Sequence, residues 1–540
     1  MAERAGGPAV GAWILVAGAL LLLVVLPLVT LVANALADGA GPLATLASDT
    51  AIEAWRHSVL VAAAVTVLAV VGGVVGALVT ERTDVRGRTL LRLGMVLPLL
   101  VPDFVAGFSW LQAYAPGGLT DDLAGVSLPW LAGPIGVVAV LAAGAVPLVY
   151  LVVASGLATR AEPELEQAAR ASGGGRLVAW RTVTIPLAAP SIAAAAALVM
   201  VTSMNAFAIP TLLGTPDGFV TMTTRIYRDL AFAADSEAFS RVLALSVLLA
   251  GSTLVVMGLA DWLLPRATAT RTGAPSSSAA GFRRGSWLPA APLWLYLAVT
   301  TAVPLVAVLL TAVTRGIGLP PVPANWTLDH FGEALSSQFA TAIGNTLLLA
   351  VLAATGALLL GALVAGLGRR HGGRTLGTAV SASFAVPGTV LAVAVLLAYG
   401  GLLRDTLWLV LIAYLAKFWA LAHRPIGGAV DLMPSEPMHA ARASGAGVTT
   451  ATRTIMIPML WSTLAAAWLL VFLFALHEVT MSVLLYGPGS QTMAVLILNL
   501  QQLGDPTVTA ALAVMLTLLT LLAALPLLAR RRLLRRLKWR

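Results

Sequence analysis

Residues 168–186 read AARASGGGRLVAWRTVTIP, and residues 440–458 read AARASGAGVTTATRTIMIP; aligned without a gap, twelve of nineteen positions agree. Shorter matches stand on either side. Gly87-Arg88-Thr89-Leu90 returns as Gly373-Arg374-Thr375-Leu376, and Val101-Pro102 with Ala113-Tyr114 returns as Val386-Pro387 with Ala398-Tyr399. The chain is a tandem duplication, so what one half builds the other is expected to build again.

The solvent for which it is built follows from composition. The 540 residues are 59% hydrophobic and 11% charged, with a mean hydropathy of +0.91. A soluble domain is about a quarter charged; this chain has too few polar groups to cover a surface in water, which leaves lipid. There is no cysteine, which excludes disulfides, cysteine-zinc sites, iron–sulfur clusters and thiol nucleophiles. Among 33 basic residues only Lys417 and Lys538 are lysines, followed by Phe418 and Trp539. A phosphate-binding P-loop needs Gly-Lys-Ser/Thr, so any ATPase that drives this chain is a different polypeptide.

A membrane span needs about 20 apolar residues. Twelve are expected, at 13–36, 58–80, 91–114, 133–157, 191–213, 240–264, 290–313, 342–367, 376–400, 406–430, 462–486 and 508–529. The first is too long, and its start at Glu3 and Arg4 too weakly basic, for a cleaved signal. The connections alternate in charge. Arg82, Arg86, Arg88 and Arg92 mark one basic connection, and Arg266, Arg271, Arg283 and Arg284 the next. Arg369, Arg370 and Arg374, then six arginines and Lys538 in the tail, complete the set. The intervening connections are neutral or acidic, with Asp38, Asp49 and Glu53 in one and Asp121 and Asp122 in another. The positive-inside rule makes the basic set, and with it both termini, cytoplasmic. The net charge of +9 is then a topology anchor against anionic lipid, and no nucleic-acid partner is expected. Six spans per half gives repeats of one orientation about an axis along the membrane normal.

Each copy of the repeated stretch follows the fourth span of its half. In the first, Pro163 suits a helix's first turn, Glu164 and Glu166 oppose its dipole, and Ala168, Ala169 and Ser172 leave a face almost without side chains. Gly173-Gly174-Gly175 ends it, and a short second helix is expected from about Arg176 to Val183, stopping before Pro186. In the second copy Ser435 is expected to cap a helix begun by Pro437, and Gly445 to end it. A short helix with a small-residue face makes little core of its own. It suits insertion into a groove on another protein, and two equivalent copies favour that docking role over an ordinary wet loop.

The pattern Glu-x-Ala-Ala-x-x-x-Gly, nine residues, then aliphatic-x-aliphatic-Pro resembles the EAA loop of bacterial ABC-importer permeases. The first copy fits at Glu166, Ala168, Ala169, Gly173, Val183, Ile185 and Pro186. The second fits at Ala440, Ala441, Gly445, Ile455, Ile457 and Pro458, with Met438 where the glutamate stands in the pattern. The resemblance implies an all-α, polytopic, type I importer-like fold. It implies a first permease half over 1–264 (EAA loop 158–190), a flexible cytoplasmic linker over 265–289, and a second permease half over 290–540 (EAA loop 431–461) with a basic tail. It implies a non-catalytic transport subunit of the bacterial inner membrane. Its partners are then a cytoplasmic ABC ATPase dimer, which binds the ATP and seats on Glu166, Ala168, Ala169, Gly173, Pro186, Ala440, Ala441, Gly445 and Pro458, and an extracytoplasmic substrate-binding protein. A fused two-half chain resembles the ferric-iron type, with thiamine, aminoethylphosphonate and polyamine permeases as alternatives. The segments Ala208–Gly214, Thr223–Tyr227 and Leu484–Gly489 lean toward iron.

Ionisable groups inside spans are costly, roughly 2.5–3.5 kcal/mol on insertion scales, and normally face protein or water. Asn205, His477, Glu478 and Asp103 are candidates for the translocation path, with Asn205 and His477 equivalent in the repeat. A structural alternative has Lys417 and Glu478 neutralise each other, and favours structural roles for Asp103 and Lys417. The six histidines have no metal-ligand spacing, so neither a resident metal nor a cofactor is expected. A proton-coupled transporter using Glu478, His477 and Asp103 would account for those residues but not for the paired loops. A membrane enzyme would need a nucleophile–base set that the sequence does not present.

Overall fold

The computed structural model describes residues 7–37, 45–160, 163–233, 237–263, 287–316, 318–368 and 373–537. Most of the expected linker, together with Arg369, Arg370 and Lys538, lies outside them. Apart from one isolated bridge between Thr314 and Trp326, the described residues form helices and their connections.

Ten helices are long and apolar enough to cross a bilayer: Val10–Ala37, Asp49–Arg82, Pro134–Ala158, Leu177–Met204, Ala238–Ala260, Leu288–Val313, Phe339–Leu367, Leu407–Asp431, Val448–Leu476 and Pro506–Pro526. Two more spans are broken. Arg88–Leu100 and Asp103–Ala124 meet at 103°, and Thr375–Ser383 and Gly388–Leu403 meet at 99°. The stretches 91–114 and 376–400 are therefore not straight spans. Their breaks fall at the repeated Val-Pro pairs: Pro102 and Pro387 supply no N–H, and the residue before a proline is pushed toward extended backbone, as Val101 shows with φ −87° and ψ 124°. With each bent pair counted as one span, these are spans one to twelve in chain order.

The bent pairs do cross. Span three begins next to Arg82, whose Nε lies 3.2 Å from Glu166 in the loop after span four. Beyond its far end Gly133 N donates to Leu213 O at 2.7 Å, past the opposite end of span five. In the second half Arg424 donates to Ser381 O at 3.3 Å on the loop side, whereas Asp405, after span nine, crowds Gly487 past the far end of span eleven. Six crossings then separate 163–186 from 436–458, and both loops face the same side.

Spans five and eleven differ from expectation at both ends. The predicted short helix after Gly175 does not stop before Pro186. Arg176–Ala179 continues through a π-helical turn, Trp180–Thr184, into Ile185–Met204, and Val448–Ala451 continues through Thr452–Met456 into Ile457–Leu476. The spans also end early, at Met204 and Leu476, and the residues beyond those ends form separate short segments.

Proline explains these turns and two others. π-helical turns at Leu21–Val25 and Ala298–Ala302 precede Pro27 and Pro304, just as those in spans five and eleven precede Pro186 and Pro458. A π turn lets the helix run on past a residue that lacks a donor, but it strands one carbonyl. Leu26 N bonds Leu21 O, and the donor that Leu22 O would meet five residues on is Pro27. Likewise Val303 N bonds Ala298 O, leaving Val299 O opposite Pro304.

Each stranded carbonyl is met from the other half. Tyr399 of span nine donates to Leu22 O at 2.6 Å, and Tyr114 of span three donates to Val299 O at 2.6 Å. Trp110 adds a bond to Thr300 O at 3.3 Å. These are equivalent positions in the repeat, so span one packs on the second half and span seven on the first. Within each half the long spans approach closely through small residues. At Gly73 an added Cβ would fall 2.8 Å from Tyr150 N, and at Gly361 it would fall 2.8 Å from His423 N.

Removing either hydroxyl leaves a carbonyl unpaired. Tyr114→Phe, at a buried site, is expected to cost about 1–3 kcal/mol of stability, and Tyr399→Phe, at a half-buried one, less. Thermal unfolding of the detergent-purified protein measures both.

Candidate functional site

The two loops repeat in conformation as well as in sequence. The helices Pro163–Ala171 and Glu436–Ala443 each end at a glycine with positive φ, Gly173 at 87° and Gly445 at 84°. In each, the two closing bonds are the same: Gly173 N to Arg170 O and Gly174 N to Ala169 O, then Gly445 N to Arg442 O and Ala446 N to Ala441 O. A left-handed residue at this place reverses the chain and satisfies the last carbonyls. Glycine adopts it freely, whereas other residues lose about 1–2 kcal/mol. Ser435 occupies the N-cap position of the second helix, but its side chain makes no capping bond.

Ala168, Gly173, Ala440 and Gly445 are exposed, and Ala169 and Ala441 half-buried. Around them lie exposed apolar side chains, Leu165, Leu177 and Val178 in one loop and Leu432 and Val448 in the other. Pro186 and Pro458 stand apart from this surface, in the first turn of the span helices after their π turns.

Glu166 points into its own half. Its Oε1 lies 3.2 Å from Arg82 Nε, at 17% and 8% side-chain exposure, and accepts a 2.7 Å bond from Thr184. Arg82 also donates to Leu157 O at 3.2 Å. Sequence reading identified Glu166 but neither partner. The available signal was a difference, since Thr184 is one of the seven positions in the repeated stretch at which the copies disagree.

The membrane candidates divide by what they touch. Lys417 and Glu478 do not form the anticipated ion pair. Lys417 Nζ donates to Phe384 O at 2.9 Å and to Val386 O, and sits 5.0 Å from the Phe384 ring. It thereby serves the carbonyls left at the break in span nine, a cation at a helix C-terminus. Glu478 accepts from Met481 N at 2.8 Å at the start of Thr480–Leu485. Asp103 opens the second part of span three. Its side chain keeps accessible surface, and it lies within electrostatic reach of Glu478, as Lys417 does. Asn205 and His477 are the C-caps of spans five and eleven, not mid-helix residues. Their Oδ1 and Nε2 atoms are buried without a hydrogen-bond partner. Among the described residues no group of three His, Asp or Glu is placed to hold a metal.

The profile of the family described as binding-protein-dependent transport system inner membrane component matches residues 69–269. Over 251 residues, 46% of this chain and 90% of the relative, the sequence is 32% identical to the Probable molybdenum ABC transporter permease protein of Haloferax volcanii. The chain belongs to the ABC transporter permeases. Similarity extends across both halves in longer relatives. The Probable ABC transporter permease protein of Sinorhizobium fredii is 24% identical over 486 residues, 86% of this permease and 84% of that one. The Ferric transport system permease protein of Actinobacillus pleuropneumoniae is 24% identical over 477 residues, 84% and 68% of the respective chains. The permease is thus a fused, two-half ABC-importer subunit with twelve spans.

A cysteine-free permease is a ready background for labelling. Gln167→Cys and His439→Cys are expected to react with a membrane-impermeant maleimide from one face of the vesicle, and Asp122→Cys from the other. Asp103→Cys is expected to react with a small water-soluble thiosulfonate despite its depth. Mass shift of the purified protein reads each outcome.

Proposed function

We propose that this permease couples a cytoplasmic ATPase dimer to import, with one ATPase subunit seated on Pro163–Ala171 and the other on Glu436–Ala443, and that both termini face the cytoplasm. The observation that carries this reading is the pair of equivalent helices on one face. Each is closed by a left-handed glycine and lined by alanines that let a partner's backbone approach. ATP binding closes the dimer, the helices carry the motion inward, and the interlocked halves rock to change which side the path faces. An extracytoplasmic binding protein delivers the substrate. The permease itself hydrolyses nothing.

For the substrate we propose ferric iron. Asp103 and Glu478 place two carboxylates within electrostatic reach of each other, and the Lys417 ammonium, hydrogen-bonded to backbone carbonyls, acts on Glu478 as well. Carboxylate oxygens suit a hard cation. Recognition of an oxyanion usually uses arginine or free backbone N–H groups. The molybdenum permease among the relatives favours a second reading, molybdate. The orphaned Asn205 and His477 atoms suit transient contacts to either substrate.

Uptake of radio-iron into cells carrying the complete transporter tests both parts. Asp103→Asn and Glu478→Gln are expected to lower it roughly tenfold each, the effect of about 1.4 kcal/mol on passage, with the ATPase still bound. Gln keeps the bond to Met481. Uptake of molybdate instead of iron, unchanged by either substitution, would favour the second reading.

A further inference from the structure

The duplication has preserved the shape of the two loops while replacing, as a set, what anchors one of them. In the first half Glu166 on the docking helix, Thr184 on the π turn of span five and Arg82 at the end of span two form one polar cluster. The repeat places Met438 at the position of Glu166 and Met456 at that of Thr184. The acid and the hydroxyl are both absent from the second half. The elements carrying Met438 and Met456 still touch, as do their counterparts in the first half, so the second docking helix keeps its seat on span eleven. With Met438 in place of the acid, it has no carboxylate at that position with which to hold an arginine.

The consequence is mechanical. A charge pair with additional hydrogen bonds, largely removed from water, holds its geometry because breaking it leaves an uncompensated charge. Methionine contacts are adaptable and tolerate sliding. We infer that Arg82, Glu166 and Thr184 are positioning residues that lock the first docking helix to spans two and five as one rigid lever, and that the second docking helix is a compliant seat. The transporter then transmits the ATPase stroke unequally, mainly through the first half. The glutamate of the first loop is spent inside the permease, so the ATPase meets the exposed face carrying Gln167, Ala168 and Arg170. This inference rests on the docking reading of the two helices.

Spin labels in the cysteine-free chain test it on the permease purified with its ATPase. One pair joins Val75→Cys in span two with Gln167→Cys; the other joins Leu359→Cys in span eight with His439→Cys. Between nucleotide-free and ATP-bound states the first distance is expected to shift by less than about 2 Å, and the second by more than that, beyond a typical packed-helix slide. Arg82→Gln is expected to make the first pair move like the second while the ATPase remains bound, and the exchange Arg82→Glu with Glu166→Arg to restore it. E166M/T184M gives the first half residues with which the second already folds, and is expected to act like Arg82→Gln. Equal behaviour of the two pairs in the unsubstituted chain, a first pair indifferent to these changes, or loss of the ATPase in the variants alone would overturn the lever. Failure of the unsubstituted permease to retain an ATPase would instead remove the docking reading, and the lever with it.

Discussion

In lipid there is no water to satisfy a backbone carbonyl, so every group that a helix leaves unpaired must find a donor within the protein. In six of this chain's spans a proline breaks the helix or follows a π turn, and much of the architecture is the response. At Pro102 and Pro387 the helices break outright. At Pro27, Pro186, Pro304 and Pro458 they run on by opening a π turn. At Leu22 and Val299 the stranded carbonyl recruits a tyrosine from the opposite half, and at the break in span nine Lys417 supplies an ammonium. The joins between halves and the bends in spans three and nine are thus products of one requirement. An intramembrane lysine that suggests chemistry is here occupied with backbone.

Much of this was readable from the residues alone. Hydropathy located every span, because a stretch of about twenty apolar residues has few other uses. The gapless repeat gave the parallel duplication and pointed to the glycine turns. What escaped was geometry set by backbone donors. Val101-Pro102 was visible as a repeated pair, but its consequence, a turn of about a right angle, depends on the neighbours that accept the bend. Spans five and eleven were placed too late because Pro186 and Pro458 read as helix stops; the π turn that carries the helix past them has no composition of its own. The partners of Glu166 were hidden for another reason. Arg82 looks like one more positive-inside arginine, and only three-dimensional proximity separates it from its neighbours.

Comparing the halves is informative where they disagree. Tyr114 and Tyr399 agree and do the same job. Asp103 aligns with Gly388, and Asn205 with His477, so the halves present different groups there although the spans around them are alike. A duplicated transporter need not treat its cargo symmetrically. Fusion fixes which half is which, and each site can then change without a compensating change in its twin.

The crossed tyrosines also bear on how the chain is made. As synthesis proceeds from the N-terminus, Leu22 enters the membrane 377 residues ahead of the hydroxyl that will complete it. Val299, by contrast, arrives to find Tyr114 already 185 residues old. The leading half therefore stays unfinished until the trailing half is threaded, while the trailing half has its template waiting. Assembly of the bundle acquires a direction, and span one, which leaves the ribosome ahead of the eleven after it, is among the last to be locked in place.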